Sequence, residues 1–285
     1  MKLNRKAKGR HYSISMIGIL CALIGAEMHA GVMGPALTSV PGAIYFGVFG
    51  GGGSSNKIDI SQYGTAFYTE LNGGPLAVNA FGQTNSRSAG LVGGHLGFQW
   101  MNSYSNLFNS QWSLTPAVEL EGYYLGKSSI TGHDINNDTV RLPEHDFLVS
   151  YPMSTGVFLT NAVLNFNSSQ RKIHPYIGGG IGSVVLSILN AQAIQVAPEE
   201  PGVNHYNSNP SDTDSAFAAQ VKIGLNFALS KNLSTFAEYR GLYIADTNYS
   251  FGSTVYPGHV ATTNWRVEMG SQYYNLGAAG IRYTV

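Results

Sequence analysis

Apolar and polar residues alternate with a two-residue period along several stretches of this chain. From Ala216 to Leu229 one set of positions holds Phe217, Ala219, Val221, Ile223, Leu225, Phe227 and Leu229. The other set holds Ala216, Ala218, Gln220, Lys222, Gly224, Asn226 and Ala228. Successive strand residues point to opposite sides, so this segment is a strand with one apolar face and one polar or small face. A helix would scatter the same Phe and Leu residues round its circumference. After the short polar turn Ser230-Lys231-Asn232 the pattern resumes, with Leu233, Thr235, Ala237, Tyr239 and Tyr243 on one face and Ser234, Phe236, Glu238, Arg240 and Leu242 on the other. The last segment sets Ala279, Ile281 and Tyr283 against Ala278, Gly280, Arg282 and Thr284. Between Leu114 and Leu125, Leu114, Pro116, Val118, Leu120 and Tyr124 oppose Thr115, Glu119, Glu121 and Tyr123. Pro116 is tolerable there only near a strand end.

Four weaker segments, Ala43–Gly51, Ala89–Trp100, Met153–Asn167 and Ile173–Leu189, bring the predicted count to eight strands. The first offers no assignable facing, and the fourth is rich in glycine. Short connections at 168–172 and 230–232 alternate with long ones at 52–88, 126–144, 190–214 and 248–263. Apolar pieces inside 52–88 leave a ten-strand arrangement open. In every clear segment the apolar face is the one a lipid would solvate and the other carries charge. A water-soluble sandwich would bury its apolar faces instead. The predicted fold is all-β: a transmembrane, antiparallel, up-and-down β-barrel of 8 strands, with 10 as the alternative.

The start of the chain follows a different rule. Lys2, Arg5, Lys6, Lys8 and Arg10 precede an apolar run from Ile14 to Ala26, and small residues end at Ala30-Gly31. That order predicts a secretory signal peptide over 1–30 and a barrel domain over 31–285. The single cysteine, Cys21, falls in the apolar run, so the barrel is expected to hold no disulfide. Only 11% of residues are charged, while there are 35 Gly and 17 Tyr. Once the five early bases are set aside the remainder is slightly acidic, which excludes a nucleic-acid partner.

The segment Asn232-Leu233-Ser234 with Phe236-Ala237-Glu238-Tyr239-Arg240, the strand His174-Pro175-Tyr176-Ile177-Gly178-Gly179-Gly180 and the closing Gly280-Ile281-Arg282-Tyr283 resemble the eight-stranded outer-membrane barrels of the opacity-protein and OmpA-like superfamily. The chain departs from that family's terminal Phe, ending in Tyr283-Thr284-Val285. The resemblance implies the outer membrane of a Gram-negative bacterium, with contact to membrane lipid, to the barrel-assembly machinery during biogenesis, and through long loops to extracellular or host-surface molecules. It implies structural, adhesin-like or antigen-like roles, and sometimes a narrow pore, but no shared chemistry.

Candidate chemistry is sparse. His133-Asp134, His145-Asp146 and His205 fall in predicted loops and are expected to be solvated. Gly-x-Ser-x-Gly is missing after residue 30, and no histidine pair has zinc-ligand spacing. No catalytic residue, cofactor-binding residue or metal ligand is therefore assigned, and no enzyme activity is expected. An outer-membrane enzyme ranks third, after a surface-interaction protein and a narrow porin. The sharper expectation concerns Glu119, Glu121, Lys222, Glu238, Arg240 and Arg282, all on inner faces. Eight strands enclose a bore just wide enough for side chains, so these charges are expected to pair as a structural plug. Trp100, Trp112, Tyr273 and Tyr274 are expected in aromatic girdles at the membrane boundaries.

Overall fold

A computed structural model describes residues 42–100, 104–107, 112–136, 139–168 and 170–285. The predicted signal peptide, and the first residues of the expected barrel domain, lie outside the described residues.

Eight long strands form a closed antiparallel ring: β1 (Gly42–Ser55), β4 (Ser88–Trp100), β6 (Trp112–Asn136), β7 (Asp146–Asn167), β8 (Ile173–Ile188), β10 (Asp212–Ala228), β11 (Leu233–Ile244) and β14 (Gln272–Thr284). Each pairs with the next in that order, and β14 returns to β1 through a register running from Tyr45↔Thr284 to Ser55↔Tyr274. All eight coincide with the strands predicted from alternation. The ring is the architecture that the resemblance implies.

Facing follows the pleat. Phe217, Val221, Ile223 and Leu225 are exposed on the outside of β10, while Gln220, Lys222 and Asn226 are buried inside. Strand β1, whose facing the sequence left open, turns Ile44, Phe46 and Val48 outward and Tyr45 and Phe49 inward. An apolar outer belt round a charged interior inverts a water-soluble barrel and is the transmembrane arrangement. Trp100 and Trp112 are partly buried at the short-turn end. Tyr273 is exposed on the outer face, but Tyr274, expected beside it in the girdle, is buried in the lumen. The pleat forces neighbours apart.

The predicted long loops contain further strands. Residues 52–88 contain β2 (Asp59–Ala66), a 3-10 turn (Glu70–Asn72) and β3 (Leu76–Thr84). Strand β6 runs straight through 126–136, β9 (Gln192–Ala197) lies in 190–214, β12 (Thr247–Phe251) opens 248–263, and β13 (Trp265–Met269) follows it. A short β5 (Tyr104–Leu107) pairs with β6 at the opposite end. Beyond the ring the sheet order is β12-β13-β2-β3-β6-β7-β9, with β3 joined to the far end of β6 at Ala80↔Asn136. The hairpin that kept ten strands open does form, but above the ring and not within it.

This upper sheet, or crown, has its own core. Tyr206 stacks on Phe251 with ring centroids 4.7 Å apart, and Tyr151 stacks on Phe251 at 5.9 Å. Trp265, Val267 and Met269 alternate inward from β13. Backbone amides of Asn248 and Ser250 donate to Asp214 and Asp212 at 2.7 and 2.6 Å, tying the free edge of β12 to the top of β10.

Candidate functional site

The lumen brings all six predicted charges together. Glu119 and Glu121 come from β6, Lys222 from β10, Glu238 and Arg240 from β11 and Arg282 from β14, and none is more than 7% exposed. Lys222 Nζ bridges the two β6 carboxylates, donating to Glu119 and, at 3.3 Å, to Glu121. Arg240 Nη1 donates to Glu121 at 2.9 Å, and its Nε donates to Glu238 at 2.8 Å. Arg282 Nη2 reaches Glu119 at 3.3 Å. Three acids face three bases, so the network carries no net charge. Removing one member of such a buried set leaves a charge without its partner, which costs on the order of 3–5 kcal/mol in a dry site.

Neutral groups that the sequence did not single out complete the network. Tyr45 Oη donates to Glu119 at 2.8 Å and Tyr176 Oη to Glu238 at 2.7 Å. Gln220 Nε2 donates to Glu121 at 2.7 Å and to Asn161 at 2.8 Å. The guanidinium groups lie over aromatic rings, Arg240 at 4.0 Å from the Phe49 centroid and Arg282 at 4.4 Å from that of Tyr45. Glycine makes the room: a Cβ at Gly97 would lie 2.2 Å from the Tyr45 ring, and one at Gly224 2.6 Å from that of Tyr176. Gln220 already stood on an inner face in the alternation. Tyr45 lay in the strand whose facing the sequence left open, and Tyr176 in the glycine-rich strand.

Where the ring meets the crown, Arg87 spans the bore. Its Nη1 donates to Ser128 at 3.0 Å, and its Nη2 donates to Gln272 at 3.3 Å and to the Tyr274 hydroxyl. Among the described residues no carboxylate is within ion-pair distance of it. Nothing in the sequence marked Arg87, because its position falls inside a predicted loop.

The histidine and aspartate positions in the crown divide. His133 is exposed and bonds Asp146 across β6 and β7 at 2.8 Å. Asp134 and His205, expected to be solvated, are buried. Strand continuation explains the first: β6 extends past 126, so Asp134 points into the crown core. His205 is covered by Phe147 and Trp265, whose ring centroids lie 5.1 and 6.3 Å away. His205, His145, His259 and Glu200 line a crown cavity of about 330 Å³.

No protein-family model and no curated protein matches the chain. Among solved structures it is similar to the outer membrane protease OmpT of Escherichia coli, at 10% identity over 85% of this chain and 97% of that one, with a TM-score of 0.40. It is similar to the outer membrane protein OprG of Pseudomonas aeruginosa, at 13% identity over 83% and 95%, TM-score 0.40. Neisserial surface protein A is similar at 14% identity over 84% and 96%, TM-score 0.32. At these identities and TM-scores the comparisons carry no functional assignment.

Proposed function

We infer that the protein is a Gram-negative outer-membrane barrel with a surface-interaction role, its lumen closed by the charge network and its crown presented outside the cell. The observation that carries this reading is the pairing of a neutral, hydrogen-bonded plug with a crown that has its own buried aromatic core. A pore that selects ions is lined by charge of one sign or by a constriction open to water. Each of the six network charges has an opposite partner, and Arg87 above them is held by neutral groups, which supports a plug and a structural role for the six residues. Binding residues sit on loops and edges held by a rigid scaffold, and the crown supplies such a scaffold. The reading assigns binding and no catalysis.

Planar-bilayer recording tests the closed lumen. Purified protein is expected to be nearly silent, with currents appearing when Glu121 or Arg240 is replaced by Ala. Steady, sizeable currents from the unaltered protein would promote the narrow-porin alternative. For the surface role, cells with and without the protein are compared on arrays of glycans and extracellular-matrix proteins. Equal retention across the whole array would count against an adhesive crown.

A further inference from the structure

The crown cavity has apolar walls, including Tyr68, Leu142, Phe147 and Trp265, and one polar corner formed by Glu200, His205 and His259. Glu200 and His205 follow β9, whereas His259 lies between β12 and β13. The chemistry of this corner depends on where the imidazole protons sit. His205 Nδ1 is 3.0 Å from the carbonyl oxygen of Ala193, and His259 Nδ1 is 2.6 Å from that of Val260. A carbonyl only accepts, so each ring donates from Nδ1, and in the neutral imidazole each Nε2 keeps its lone pair.

Both Nε2 atoms then face a single carboxylate. His205 Nε2 lies 3.6 Å from Glu200 Oε2, and His259 Nε2 lies 3.6 Å from Glu200 Oε1. That is too long for a hydrogen bond. Electron-rich atoms converge on one gap, all within 4.8 Å of one another. With neutral imidazoles such an arrangement is one that a bound cation relieves. Zinc ligands stand about 2.0–2.1 Å from the metal, so neighbours in a tetrahedral shell are about 3.3 Å apart. The two His–Glu spacings are within a few tenths of an ångström of that value, and the two imidazole nitrogens lie within 4.8 Å of each other.

The surroundings hold the ligands in place. A carbonyl bound to the second imidazole nitrogen is the outer partner that metal-ligating histidines use. Thr254 Oγ1 donates to the His205 carbonyl at 2.9 Å and accepts from Trp265 Nε1 at 3.1 Å, which fixes the segment that carries His205. Asn204 N donates to the Tyr256 hydroxyl at 3.1 Å, and Asn207 Nδ2 donates to the Val255 carbonyl at 2.7 Å, so the two loops are already joined on either side. The lumen offers a contrasting cluster in His95, Glu119 and Glu121. There the Lys222 ammonium already sits between the carboxylates, and a metal ion has no place.

We propose that Glu200, His205 and His259 form a binding site for a divalent transition-metal ion of the zinc class, with a fourth coordination position open to the crown cavity. Two imidazoles and a carboxylate suit such an ion better than calcium or magnesium, which take oxygen ligands. Three protein ligands with an open position leave room for a water or for a donor atom of a bound molecule.

The test uses full-length, tag-free protein refolded in detergent and titrated with Zn²⁺, with Co²⁺ as the spectroscopic probe. The unaltered protein is expected to take up one equivalent of Zn²⁺ and to give the intense visible Co²⁺ bands of a low-coordinate site. Glu200 and His259 are only partly buried, so Glu200→Gln and His259→Ala should keep the heat-dependent gel mobility of the folded barrel. Each should weaken Zn²⁺ binding by about 100-fold or more, beyond the loss caused by disturbing an outer partner. His133→Ala should leave it unchanged. The proposal is overturned if the unaltered protein takes up no Zn²⁺, if uptake survives both ligand substitutions, or if His133→Ala abolishes it.

Discussion

Asp134 illustrates how much one side chain can impose. It is fully buried, and neither carboxylate oxygen has a hydrogen-bond partner among the described residues. Burial pushes its ionisation up to about 7, Asp146 adds to the rise, and His133 opposes it. The sign of the linkage follows directly. Between about pH 4 and 7 the unfolded chain has released this proton and the folded chain retains it. Stability from this group is therefore lost as pH rises through that window, levels off above 7, and is unaffected below 4. The loss is on the order of 4 kcal/mol. Replacing Asp134 by Asn should leave stability near pH 4 almost unchanged and raise it at pH 8. Urea unfolding in detergent at the two pH values checks this, and an Asn variant no more stable than the parent at pH 8 would contradict it.

At the scale of a strand, the prediction concerns facing. Ile223 is 58% exposed on the apolar belt, whereas Asn226 is buried inside near the end of β10. Arg at Ile223 should cost roughly 2–4 kcal/mol if the position lies near the bilayer midplane. Arg at Asn226 should cost less, because the nearby lumen mouth admits water. Equal, mild effects in lipid refolding assays would reject the assignment. The ring strands were legible because each has one face in lipid, which writes period-two alternation into the sequence. The crown was legible only in fragments. Tyr249 and Phe251, and then Trp265, Val267 and Met269, keep the same alternation, but in runs of five residues among turn-forming residues such as Pro257 and Gly258. The lumen charges could be read because facing identifies them. The Glu200–His205–His259 corner could not, since 54 positions separate its two histidines and only the pairing of two crown loops brings them together.

For the molecule as a whole, the long strands matter most. Strand β6 has 25 residues and β7 has 22, and their pairing continues from Ser113↔Asn167 to Ile135↔Asp146. About 9–11 residues suffice to cross a bilayer core, so more than half of β6 lies outside it. Ring and crown are one hydrogen-bonded sheet. Leu71 is 99% exposed in the turn of the β2–β3 hairpin, Val140 is 106% exposed between β6 and β7, and residues 198–202 after β9 are mostly exposed, and these mark crown tips. Proteases cut where the backbone can leave its partners, at exposed tips and not within paired strands. Digestion of intact cells should therefore nick the chain only near these tips. The pieces should still migrate together as one unheated barrel and separate on boiling. Extensive trimming of the crown would show that its strands open readily. The practical consequence concerns surface shaving, in which released peptides are taken as an inventory of what a cell displays. A crown that is nicked but sheds no fragments would contribute almost nothing to that inventory, and a protein standing well clear of the bilayer would be scored as hidden.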